Sequence, residues 1–166
     1  MKNLFKGVFG FVVLSSLVML FTTITSALPE DNPITPVTPT SESGHATGGV
    51  KAVLTNGDNA KLNFNAHYGS VFGQAKYSDS TGVSFSGKVD VCYYQSGNQA
   101  VFAGNINSGN VSNQYFIIQV QDNGEGKKAT SPDMFSVTTT DSAPVCVLQN
   151  NLNATVRTGN LQVHAN

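Results

Sequence analysis

Two cysteines and three histidines, together with a few carboxylates, are the residues of this chain equipped for chemistry. Cys92 and Cys146 have no CxxC spacing and no interleaved histidine, so they do not make a zinc site. Cys92 falls on the polar phase of the run Val83 to Tyr93. Cys146 lies between Val145 and Val147, so both thiols are read as pointing away from the core. In an exported chain two such thiols are expected to pair, and closing so long a loop stabilises by about 4 kcal/mol in the chain-entropy model. His67 and His164 fall on the wet phase of their strands, and His45 lies in or beside a proline-rich segment. A serine or cysteine nucleophile needs its histidine base held against it in a formed cleft. Scattered, exposed histidines do not meet that need, and no catalytic residue is assigned.

Asp58, Asp79, Asp90 and Asp141 sit mostly in turn-like segments, where aspartate caps the backbone. Nothing places two carboxylates across a cleft, as a glycosidase requires. The densest oxygen cluster is Asp122, Asn123 and Glu125, with Asp133 downstream. Calcium takes six to eight oxygens from loops of this kind, so these four residues are the candidate calcium ligands. The loop lacks EF-hand spacing, and its plainer reading is a glycine-rich hairpin turn. No other cofactor is indicated.

The elements that position these residues are strands. Leu62, Phe64, Ala66 and Tyr68 alternate with polar neighbours, as do Val71, Gly73, Ala75 and Tyr77. The longest alternation sets Val83, Phe85, Gly87, Val89, Val91 and Tyr93 against Ser84, Ser86, Lys88, Asp90 and Cys92. Period two with one wet face is the signature of a half-buried strand, and Gly87 marks a bend or bulge. Further strands are expected over 100–106, 114–121, 135–140 and 159–164. Tyr115 to Ile118 is apolar on both faces and reads as a central or covered strand. Gly, Asn, Asp and Ser clusters separate the runs. The expected fold is all-β, an antiparallel sandwich or small barrel of about seven to eight strands.

The domain is preceded by a different kind of sequence. Lys2 and Lys6, the apolar run Val8 to Phe21 and the small residues Thr25-Ser26-Ala27 are the three parts of a secretory signal, expected over 1–27. The apolar run is short for a membrane span, so cleavage is favoured over an anchor formed by residues 8–24. Pro29, Pro33, Pro36 and Pro39 make 28–45 a semi-extended linker, and 46–166 is the β domain. Without Lys2 and Lys6, seven Lys and Arg face ten Asp and Glu. That weakly acidic balance, with Lys127-Lys128 the nearest thing to a basic patch, excludes a nucleic-acid partner. The chain has no tryptophan, and Tyr94 and Tyr115, the rings expected on the outer face, are weak support for a sugar-stacking surface. Asn110-Val111-Ser112 and Asn153-Ala154-Thr155 match a glycosylation sequon, a pattern common by chance in so Asn-rich a chain.

The order of several short pieces resembles secreted bacterial β domains labelled "post-COAP". These pieces are Ala46-Thr47-Gly48-Gly49, Gly73-Gln74-Ala75-Lys76-Tyr77, the stretch 116–126, Asp133-Met134-Phe135 and the ending Gly159-Asn160-Leu161-Gln162-Val163-His164. Val50 departs from that pattern, as do Asn63-Phe64-Asn65 and the missing proline after Glu125. The resemblance implies an exported all-β domain and brings no activity for particular residues. The expected function is a secreted or surface-displayed, non-catalytic β domain for binding, adhesion or envelope structure, with a cell-surface, glycan or protein partner. One alternative is an enzyme or small-ligand carrier with its site in a barrel mouth. Another is a fibre subunit whose linker completes a neighbour's sheet.

Overall fold

The computed structural model describes residues 44–125, 129 and 131–165. The signal segment, the linker up to residue 43 and Lys127-Lys128 lie outside them. Eight strands follow in chain order: β1 Gly44–Leu54, β2 Asn59–His67, β3 Phe72–Asp79, β4 Ser84–Ser96, β5 Gln99–Gly109, β6 Tyr115–Gln121, β7 Met134–Thr140 and β8 Ala154–Ala165. Each pairs antiparallel with the next, and β8 returns to β1, closing a barrel. Of the two architectures the alternation allowed, the barrel is the one formed. Among the described residues, no helix is long and apolar enough to cross a membrane.

The alternation decides which side chains fill the barrel. Phe64, Phe85, Phe102, Phe116 and Phe135 are all buried inside with Leu62, Ile118 and Leu161. Phe64 stacks on Phe102 at 5.1 Å between centroids, and Phe85 on Phe116 at 5.4 Å. Eight strands leave an interior just wide enough for side chains to fill. Small residues opposite the rings make the fit. Gly87 on β4 faces the Phe116 ring, and a Cβ there would lie 2.8 Å from it. Gly104 on β5 lies so close to Lys88 that a Cβ would collide with the Lys88 carbonyl. The β4–β5 register shifts between Ser86 and Gly87, so Gly87 stands at an irregularity of the strand pair.

Several positions depart from the expected pattern. β1 begins at Gly44, so His45, placed in the linker 28–45, stands on a strand. Val83 precedes β4 and is 37% exposed. Val91 is half-buried instead of inward, because a second register shift between Val89 and Cys92 inserts Asp90 and Val91 against β5 without partners. Such a bulge interrupts the alternation, and Tyr93 regains the interior beyond it.

The connection from β7 to β8, residues 141–153, crosses the outside of the barrel. Cys146 on it is joined to Cys92 on β4, with Cα atoms 5.8 Å apart, so the expected bridge is present. Val101 and Gln119, outward-facing on β5 and β6, are buried at 1% and 3% exposure because this strap covers them. It is the physical reason that β6 is apolar on both faces. Its return leg docks by backbone bonds from Asn153 N–H to Phe135 O and from Thr55 N–H to Asn153 O.

Candidate functional site

The carboxylates occupy hairpin ends. Asp79 closes the β3–β4 turn. Its Oδ1 accepts from Thr81 N–H, Thr81 Oγ1 and Val83 N–H, and its Oδ2 accepts from Tyr77 Oη at 2.9 Å. Burial alone would raise the Asp79 pKa, but these donors outweigh it and hold the carboxyl below its ordinary range. Tyr77, buried and bonded to Asp79, is pushed well above the usual phenol range.

The loop after β6 carries the four candidate calcium ligands, and the structure shows where their oxygens are used. Asp122 Oδ1 accepts from Gly124 N–H at 2.8 Å, and its Oδ2 accepts from Val163 N–H on β8 at 3.1 Å. Asp133 Oδ1 accepts from Asn123 N–H at 2.9 Å. Asn123 Oδ1 accepts from Gln121 Nε2, and Glu125 Oε1 accepts from Gln162 Nε2. Burial raises the Asp133 pKa; the bond from Asn123 opposes this, and nearby Asp122 and Glu125 add to it. Among the described residues, no three His, Cys, Asp or Glu side chains are posed to hold a metal ion. These residues also close the barrel. β7 and β8 pair at Met134–Thr155 and Phe135–Ala154, and above those rungs Asp122 and Asp133 supply acceptors to β8.

The histidines are not scattered. Cross-strand register sets His45 on β1 opposite His67 on β2 and opposite His164 on β8. His67 in turn faces Phe72 on β3. Their inward neighbours Ala46 and Ala66 are buried, so this row of four rings lies on the outer face, at the barrel end where β1 begins. Ring centroids are 4.4 Å apart for Phe72–His67, 5.6 Å for His67–His45 and 4.7 Å for His45–His164. Tyr68 N–H donates to Gly44 O, so Gly44 and Tyr68 form a hydrogen-bonded rung. His45 and His67, one step along, therefore form a non-hydrogen-bonded rung, the closer of the two kinds. Burial lowers the His45 pKa, and the flanking His164 and His67 lower it further. The turn into Phe72 holds Val71 at φ 40°, an uncommon conformation for a β-branched residue. Sequence phase placed His67 and His164 outside correctly; cross-strand register, which aligns all three, has no signal in the chain itself.

A second outer feature is a concavity of about 470 Å³ across β2 to β5, edged by Asn63, Asn65, Gln74, Lys76, Lys88 and Asn107. All six are exposed and polar, and two are cationic. Asn65 Oδ1 accepts from Gln74 N–H, which fixes one amide of the set. Tyr94 and Tyr115, expected outside, alternate with the inward Tyr93 and Phe116 and are half-buried. Asn110 of the first sequon is exposed, but its amide bridges Ser84 N–H and Gly82 O. Comparison with protein-family models, curated proteins and solved structures finds no match to the chain.

Proposed function

We propose that the chain is an exported, non-catalytic β-barrel module that binds a cell-surface or envelope partner through its outer face. One observation carries this reading. The phenylalanine stacks fill the barrel, so the polar and titratable groups able to recognise a ligand lie outside it. That packing weighs against a carrier with its ligand in the barrel mouth. Export is supported by the leader-like residues 1–27 and by the Cys92–Cys146 bridge, which persists in oxidising compartments. The outward residues Lys51, Lys61, Lys76 and Lys88 are exposed, whereas a membrane barrel turns apolar residues to lipid. The resemblance to post-COAP domains is consistent with the same reading.

Within the outer face, the amide-lined concavity with Lys76 and Lys88 suits the hydroxyl and carboxylate groups of an acidic polysaccharide. Full-length chain expressed with its leader, purified from the culture fluid, is expected to bind immobilised acidic polysaccharide saturably. Lys76→Glu combined with Lys88→Glu is expected to weaken that binding at low salt. A small molecule retained by the native protein in mass spectrometry, with no polysaccharide binding, would favour the carrier instead.

A further inference from the structure

The ring row suggests a second activity, independent of the polysaccharide reading. We propose that His45 and His164 form a two-histidine surface site for a borderline divalent transition metal ion, zinc, copper(II) or nickel, with His67 flanking the pair. The ligand chemistry selects this class. Imidazole nitrogen suits these ions, whereas calcium and magnesium take oxygen.

The spacing fits. Two imidazoles bound to one tetrahedral ion at metal–nitrogen distances of about 2.0–2.1 Å place their ring centroids about 5 Å apart. The observed separations are 4.7 Å for His45–His164 and 5.6 Å for His45–His67. The rings are stacked, at interplanar angles of 28° and 17°, so their nitrogens do not converge on one point as they stand. Chelation requires the exposed His164 ring and the half-buried His45 ring to tilt, not to travel. Their backbones are fixed as facing residues of adjacent barrel strands, which removes most of the ordering cost of bringing two ligands together. His67 lies flat on Phe72, with 6° between the planes, on the side of His45 away from His164.

The surroundings favour a cation. The next outward rung is Asn65, Thr47 and Gln162, none of them charged. Beyond it, Gln162 links the row to the Glu125 carboxylate, while its Oε1 lies 3.3 Å from His164 Nε2. A carboxylate behind an amide that touches the ligand ring is an outer-shell arrangement suited to stabilising bound positive charge.

The test uses the full chain, exported and stripped of metal by a chelator. Zinc, nickel and copper(II) are titrated calorimetrically, and nickel-induced line broadening is mapped by NMR. The expected result is one ion per chain, with broadening centred on His45 and His164 and reaching His67 and Gln162. His45→Ala is expected to weaken binding at least tenfold, the lower end of what even outer-shell partners are worth. His164→Ala should act similarly, and His67→Ala less. These residues face outward, so an unchanged melting temperature checks that each variant folds; His45→Gln serves if the alanine variant does not. Undiminished affinity in both His45 variants would overturn the proposal. Broadening centred on Asp122 and Asp133, or no saturable binding of any of the three ions, would also do so.

Discussion

Gln119 and Gln149 hold each other by two hydrogen bonds. Gln119 Nε2 donates to Gln149 O at 2.7 Å, and Gln149 N–H donates to Gln119 Oε1 at 2.8 Å. A side-chain amide on the outside of β6 therefore pairs with the strap backbone as one strand pairs with another. The arrangement lets a polar residue be almost fully buried without an orphaned group.

Replacing Gln119 by leucine keeps the volume and removes both partners. Gln149 N–H and C=O then lose their partners, and the loss of two hydrogen bonds costs about 1–3 kcal/mol. Gln119→Leu is expected to lower the urea midpoint by a corresponding amount without changing the far-ultraviolet circular dichroism. A variant as stable as the parent would show that the strap is not held by this pair.

The bridge is expected to matter more. Cys92→Ser with Cys146→Ser opens a loop whose ends are 54 positions apart in sequence. The chain-entropy model assigns such a closure about 4 kcal/mol, an upper figure because the Gln119 contacts retain part of the strap. The double variant is expected to keep the barrel and to gain protease cleavage within 141–153, where the parent resists. Limited proteolysis followed by mass spectrometry reads both.

Acid stability should depend on Asp79. Its folded pKa lies below its ordinary value of 3.8. The unfolded chain therefore takes up the proton first as pH falls. The stabilisation is fully present above that value and is lost as pH drops through the lower, folded one. Asp79→Asn keeps an acceptor for Thr81 and Val83 but cannot ionise. Denaturation midpoints between pH 5 and 2 are expected to fall less steeply for this variant than for the parent; equal slopes would remove Asp79 from the account.

The periodic strands were readable because side-chain phase is local: Leu62, Phe64 and Ala66 alternate with exposed neighbours, as β2 does in the structure. β1 was harder to see, since Gly48 and Gly49 interrupt its apolar phase and His45 adjoins prolines. Closure of β8 onto β1 joins the two ends of the domain, and no local pattern encodes it. For the same reason the histidine row was invisible: phase fixed a face for His67 and His164, but only register brings His45 between them. The inward expectation for Val91 failed because a bulge changes the count by residues that look ordinary in the chain. The strap has no periodicity, and its course became visible only through Cys92 and Gln119.

Two strand glycines separate packing from conformational freedom. Gly104 and Gly49 both lie inside strands, and neither has a left-handed φ. A Cβ at Gly104 would collide with the Lys88 carbonyl, main chain of the neighbouring strand. A Cβ at Gly49 would meet the Asn63 Oδ1 atom at 3.2 Å, an exposed side chain free to turn away. The β4–β5 pair must spread to admit Gly104→Ala, disturbing the Phe85–Phe116 stack beside it. Overpacking of this kind costs about 1–3 kcal/mol. Gly49→Ala is expected to be neutral or slightly stabilising, because alanine loses less backbone freedom on folding. Thermal unfolding of the two variants in parallel checks the pair. Equal melting temperatures would mean that the close approach of β4 and β5 is not what requires glycine at 104.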